Sequence, residues 1–182
     1  MREKMAKKEF LLSKVYTLIE PGPVVMVSTA LKGKPNVMTM SWHTMIDFDP
    51  PLLGLVIGDQ SLTFRILKAT GECVVNIPDS GMAKKVAACG NVSGREVDKF
   101  KTFHLTPVKA SCVKAPMVKE CYANLECKVV HQKLANRYNF FILKVVRAWT
   151  DPRKKNPRTL RHLGKGVFII GGKTIRVPSK MK

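Results

Sequence analysis

Residues 36–51 read N-V-M-T-M-S-W-H-T-M-I-D-F-D-P-P, and this stretch constrains the chain more than any other. Met38, Met40, Trp42, Thr44 and Ile46 fall on one parity, and Val37, Thr39, Ser41, His43, Met45 and Asp47 on the other. A period of two is that of a β-strand, here with one apolar face and one mostly polar face. Asp49-Pro50-Pro51 should end it, because two consecutive prolines fix φ and supply no N–H to a ladder. A strand rich in Met and Trp on one side and small hydroxyls on the other is an ordinary half-buried strand. It also suits a planar polar ligand, since small side chains leave backbone amides within reach.

The same kind of reading extends along the chain. Val24–Ala30 is apolar and rich in β-branched residues, and Lys32-Gly33-Lys34-Pro35-Asn36 supplies turn chemistry, so these strands should form an antiparallel hairpin. Leu52–Ile57 is a third strand. Ser61 should cap a helix carrying Leu62, Arg65, Ile66 and Ala69, with Gly71 at the position where a left-handed residue ends a helix. Such a helix start is an anion site by construction, because its first N–H groups have no intrahelical partner. Ser61, Thr63 and Arg65 would add two hydroxyls and a guanidinium.

Glu72–Ile77 is a fourth strand. Ser80 is expected to cap a short helix ending at Gly90, and Ser93-Gly-Arg-Glu96 has the spacing of a capping box for another through Phe100. Residues 102–116 read as loop. Tyr122–Val130 and Tyr138–Trp149 are long strands joined by a polar turn at Lys133–Asn136. Val167–Ile170, Gly171-Gly172 and Thr174–Val177 read as a final hairpin. About eight strands with few short helices predict a mainly β protein, a closed or partly closed antiparallel barrel. At 182 residues the expectation is one domain spanning 1–182, with a tail or short helix over 1–20 and a basic extension over 151–182.

Charge enters here. The chain carries 32 Lys and Arg against 13 Asp and Glu, a net +19; residues 151–182 hold ten basic residues and one acid, +9. That basic segment lacks the aromatic interleaving of a nucleic-acid stacking surface, which argues against such a partner. A solvated basic face or an anionic small ligand is the better reading. Five cysteines without C-x-x-C spacing fit neither a disulfide framework nor a zinc site, and the four histidines have no metal-ligand spacing. No apolar run reaches the roughly 18 residues of a membrane span, and the polar Met1–Lys4 start does not open a signal peptide. Together these point to a cytoplasmic protein with free thiols. There is no G-x-S-x-G, H-E-x-x-H or phosphate loop, and no residue is assigned a catalytic role.

An ordered set of landmarks carries a resemblance. P-V-V-M-V-S-T-A (23–30), G-K-P-N-V (33–37), S-W (41–42), F-D-P-P-L (48–52), S-L-T-F-R (61–65), V-V-N-I-P (74–78), C-G-N-V-S-G-R-E-V-D-K-F (89–100), K-A-P (114–116) and L-E-C-K-V-V (125–130) resemble the flavin reductase-like family, its flavoredoxin-like branch above all. The likeness covers roughly residues 21–146. It implies a split β-barrel that binds FMN, as a homodimer with the flavin near the subunit interface. It also implies ring contacts from Thr39, Met40, Ser41 and Trp42, and a phosphate site at Gly58, Ser61, Thr63 and Arg65. Ser93, Arg95 and Lys99 are further candidates. The implied activity is an FMN-dependent oxidoreductase, an NAD(P)H-dependent flavin reductase with NADH or NADPH as donor. The alternatives are a flavoredoxin-type electron carrier serving a protein partner, and a non-catalytic flavin- or nucleic-acid-binding module.

Overall fold

Lys32 and Gly33 both take positive φ, 51° and 76°, the backbone of a two-residue turn whose twist matches its flanking strands. They join β1 (Val25–Leu31) to β2 (Lys34–Met40) as the expected antiparallel hairpin. The computed structural model describes Leu11 and residues 22–172. The expected tail or short helix over 1–20, apart from Leu11, and the strand Thr174–Val177 lie outside the described residues.

β3 (His43–Phe48) and β4 (Pro51–Val56) turn tightly through Asp49 and Pro50. Helix α1 (Leu62–Thr70) follows, then β5 (Glu72–Ile77). A 3-10 turn (Ser80–Met82) leads into α2 (Ala83–Gly90), and α3 (Lys99–Thr102) precedes the two-residue strands β6 (Pro107–Val108) and β7 (Met117–Val118). β8 (Ala123–His131), α4 (Ala135–Tyr138), β9 (Phe140–Thr150), β10 (Leu160–Gly164) and β11 (Val167–Ile170) complete the order.

Seven strands form one antiparallel sheet in the order β2-β1-β5-β8-β9-β4-β3. Its two edge strands, β2 and β3, are joined by only Ser41 and Trp42. Two residues reach about 7 Å, whereas seven strands laid flat put the edges about 29 Å apart. The sheet must therefore roll until its edges meet, which makes it a split barrel. The β8–β9 hairpin stitches the halves together, β8 pairing with β5 and β9 with β4.

Val25, Val27, Leu55, Ile57, Val75, Phe141 and Leu143 fill the barrel interior, and Phe64 and Leu67 of α1 plug it. Val24, Met26 and Val37 pack outward against Met82, Val86 and Cys89 around α2, with Phe100 and Leu160. β1 is thus buried on both faces, which explains why residues 24–27 are a continuous apolar run without alternation. Glu126 is buried on β8 and accepts hydrogen bonds from the Ser111 and Cys112 amides and from Trp149 Nε1, the last at 2.8 Å. Burial alone would push its carboxyl up, but these N–H donors overrule it and hold it below the usual carboxylate range.

Several expectations need correction. Residues 36–48 are not one strand with an inward apolar face: the chain breaks at Ser41–Trp42, and Trp42 is 57% and Phe48 78% exposed. β3 is an edge strand, and a register shift between Met45 and Asp47 upsets its alternation. Asp79, not Ser80, caps the 3-10 turn, accepting the Gly81 N–H at 3.0 Å. Ser93 closes a turn, and Asp98 caps α3 instead. A hairpin that the sequence reading did not anticipate turns at Gly164-Lys165-Gly166, all with positive φ, and pairs β11 with β10. The polar turn at 133–136 winds into α4, ended by Asn139 at φ 58°. All five cysteines are free thiols; Cys112 is exposed. Among the described residues no helix is long and apolar enough to cross a membrane.

Candidate functional site

The start of α1 forms as its residue types require. The Ser61 N–H donates to Gly58 O at 3.0 Å, and Ser61 Oγ accepts the Phe64 N–H at 3.0 Å. That cap satisfies one of the first amides; the N–H groups of Leu62 and Thr63 have no intrahelical partner. The Ser61 hydroxyl proton stays free to donate. Gly71 closes the helix at φ 68°, its N–H on Leu67 O at 2.8 Å.

Beside this helix start lies a cavity of about 380 Å³, lined by Asn36, Thr39, Ser61, Thr63, Ser93, Arg95 and Lys99, among others. Thr63 is buried, and its hydroxyl accepts the Asn36 Nδ2 hydrogen at 2.9 Å. Asn36 Oδ1, also buried, has no hydrogen-bond partner among the described residues. Lys99 is buried too, its ammonium donating to Cys89 O at 2.8 Å. Burial lowers the Lys99 pKa, with the neighbouring Cys89 acting in the opposite direction, and burial raises the Cys89 thiol. No acidic side chain lines the cavity among the described residues.

A second cavity, of about 340 Å³, adjoins the first; Thr39, Gly90 and Asn91 line both. Its wall is Met40 at the end of β2, Ser41 just after it, Val86 of α2, and His162 and Phe168 of the β10–β11 hairpin. His162 and Phe168 stack with ring centroids 4.9 Å apart. The Thr39 hydroxyl donates to Val86 O at 2.8 Å, tying β2 to α2 where the cavities join. The result is one groove with a polar, cationic end and a flatter apolar end, within the size range of small-ligand sites.

Eight of the eleven predicted residues meet here: Thr39, Met40, Ser41, Ser61, Thr63, Ser93, Arg95 and Lys99. Trp42, Gly58 and Arg65 lie outside both cavities. Trp42 follows Ser41 where the chain leaves β2 for the other sheet edge. Gly58 is exposed and contributes its carbonyl to the turn. Arg65 is two residues beyond Thr63, so at 100° per residue it projects from the opposite side of α1. His43 is structural: its Nε2 meets Pro23 O at 2.7 Å. Asn36, Asn91, His162, Lys165 and Phe168 were missed, because only the packing of α2 and the β10–β11 hairpin beside β2 gathers them at the groove.

A split barrel with a two-part groove of this kind defines a class, the FMN-binding split-barrel domains. The chain belongs to the flavin reductase-like family: residues 18–170 match the domain described as Flavin reductase like domain. Among sequence relatives, a protein of Archaeoglobus fulgidus is 39% identical over 113 residues, 62% of this chain and 64% of that protein. A protein of Pyrococcus abyssi is 31% identical over 131 residues, 72% of this chain and 75% of the relative. Among solved structures, flavoredoxin from Methanosarcina acetivorans superposes with a TM-score of 0.81 at 30% identity, covering 96% of this chain and 97% of that one. An FMN-binding domain of a flavin reductase-like enzyme from Shewanella baltica gives 0.82 at 26%, covering 93% and 96%.

Proposed function

We propose that this chain is an FMN-dependent oxidoreductase that accepts hydride from a nicotinamide dinucleotide. The observation that carries the reading is the joined groove, cationic and hydroxyl-rich at one end and apolar at the other. Its residues fit FMN. The Leu62 and Thr63 amides, the Ser61 hydroxyl and Arg95 would hold the phosphate. The unpartnered Asn36 Oδ1 is an acceptor for a ribityl hydroxyl. Met40, Val86 and Phe168 would sandwich the ring system, with Ser41 at its polar edge.

Bound FMN would take up a hydride and release electrons onward, while the protein orients it and limits who approaches. Lys165 at the apolar end, with no acid near it in the cavity lining, raises the local positive potential and favours negative charge there. Trp42, Met45, Ile46 and Phe48 form an exposed apolar strip along β3 that a second copy of the chain would cover as a homodimer. A flavoredoxin-type carrier, reduced by a protein partner, is the second reading. The likeness to the Methanosarcina flavoredoxin supports it.

The purified protein is expected to be yellow and to release FMN, not FAD or riboflavin, on denaturation. Anaerobic mixing with NADH or NADPH should bleach the flavin band. A colourless protein unchanged by FMN titration would overturn the flavin assignment. Flavin that stays oxidised with both dinucleotides would leave only the carrier reading.

A further inference from the structure

Away from the groove, a third cavity of about 390 Å³ lies between the 3-10 turn and the loop that follows β9. Asp79, Ser80 and Gly81 form one wall; Lys154, Lys155 and Arg158 stand on the other. Asp79 spends its charge locally. Its Oδ1 accepts the Gly81 N–H at 3.0 Å, and its Oδ2 pairs with the Lys154 ammonium. Arg153, just outside, is bound to Asp151 by two side-chain hydrogen bonds of 2.9 Å. Lys155 and Arg158 have no acidic partner among the described residues, so the cavity keeps two uncompensated cations.

The cavity is tied to the groove by two elements. One is the helical segment that starts at Ser80–Gly81 in the third cavity and reaches Val86, Ala87 and Gly90 in the groove. Gly81 to Ala87 is six residues, a rise of about 9 Å. The other is the extended chain from Arg158 to His162, at most about 13 Å. It is pinned at Arg158 and Leu160, since the Ser80 N–H donates to Arg158 O at 2.7 Å and the Val24 N–H to Leu160 O at 2.6 Å. The two cavities are thus bridged by backbone spans of about 9 Å along the helix and at most about 13 Å along the strand. A dinucleotide with its nicotinamide in the groove has its adenosine end joined to it by two riboses and a pyrophosphate, a linker long enough to cross that gap.

We propose that the Lys155–Arg158 cavity binds the 2′-phosphate of NADPH, making this protein selective for NADPH over NADH. The inference rests on the reductase reading. A concave site holding two free cations suits a compact dianion better than the broad acidic face of a redox protein. It also gives the basic segment a defined task beyond solubility.

The test uses the full chain loaded with FMN, reduced anaerobically in a stopped-flow instrument at low salt. The parent should show a KM for NADPH about tenfold below that for NADH, the size expected of two partly exposed charge contacts. In the Lys155→Gln/Arg158→Gln variant the ratio of kcat/KM for NADPH over NADH should fall about tenfold, through KM and not kcat. 2′,5′-ADP should compete with NADPH in the parent and lose that competition in the variant; 5′-AMP should compete weakly in both. Equal KM values for the two dinucleotides in the parent, or an unchanged ratio in the variant, would overturn the subsite while the reductase reading stands. Failure of both dinucleotides to reduce the flavin would overturn the reductase reading and the subsite with it. A variant impaired only with an acidic redox protein as donor would reassign the patch to protein docking and reject the subsite.

Discussion

Gly94→Ala is a one-carbon change that should disable the polar end of the groove. A Cβ at residue 94 would stand 2.0 Å from Asn36 Oδ1, 3.0 Å from Asn36 Cγ and 3.2 Å from a Leu62 methyl. Asn36 has no room to retreat, because it is buried and its amide is committed to Thr63. Overpacking of this kind costs about 1–3 kcal/mol. If Asn36 swings away to relieve it, the lost buried hydrogen bond costs about 1–3 kcal/mol. The entropic benefit of replacing glycine, about 0.4–1 kcal/mol, offsets part of this. The net loss by either route should be about 1–2 kcal/mol, or roughly 2–8 °C in Tm for a chain of this size. FMN affinity should fall at least about tenfold, equivalent to 1.4 kcal/mol, since Asn36 and Leu62 both line the cavity. Thermal unfolding of the flavin-free protein and fluorescence titration with FMN read the two effects separately. The double variant Asn36→Ala/Gly94→Ala removes the clash, so its Tm should match that of Asn36→Ala alone while its FMN affinity stays low. A Gly94→Ala protein with the parent's Tm, or a double variant destabilised by the full sum of the two single changes, would refute the steric account.

Three further outcomes are expected. Ser61→Ala with Thr63→Ala should weaken FMN about a hundredfold, with a much smaller effect on riboflavin, as each hydrogen bond to a charged group contributes about 1.5–3 kcal/mol; equal weakening of both ligands would place the phosphate elsewhere. Glu126 has a carboxyl pKa below its unfolded value, so its stabilisation is fully present above the unfolded pKa and is lost as pH falls through the folded one. Urea unfolding from pH 7 down to about 3 should therefore show a smaller acid-side loss of stability in Glu126→Gln, which should also be less stable than the parent at pH 7; parallel pH profiles would count against it. Light scattering should give a dimer for the parent and a monomer for Ile46→Asp/Phe48→Asp, whereas an unchanged mass would assign the β3 strip another role.

Much of the barrel and half of the groove could be read from local chemistry. The Lys32-Gly33 turn, the Ser61 cap and the left-handed Gly71 are each set by neighbours in sequence, and each stands where the residue types predicted. Arg65 went wrong over a signal that was present, since the helical phase separates it from Thr63. Trp42 and Ile46, expected on a buried apolar face, are exposed for another reason. Alternation says which residues share a face, but not whether anything covers it, and β3 turned out to be an edge. The β10–β11 hairpin was not anticipated because its turn depends on Lys165 adopting positive φ between two glycines, which a lysine rarely does. Asn36, His162 and Phe168 carried no local mark of a site. Asn36 lies on β2 and the other two on the β10–β11 hairpin, a separate sheet more than 120 residues later, which only tertiary packing brings to the groove.

The β8–β9 hairpin has a consequence for synthesis. Until residues 123–150 leave the ribosome, the nascent chain can pair β1 with β2 and β5, and β3 with β4, but nothing can join the two pieces. β5 and β4 then stand as bare strand edges, and the apolar residues destined for the barrel interior have no opposite wall. A ribosome-stalled chain ending before Ala123 should bind a hydrophobic dye and be cut rapidly by protease, whereas one extended well past Thr150 should resist both. The barrel is a late product of translation, and a chaperone that shields exposed edges has its window of action between those two lengths.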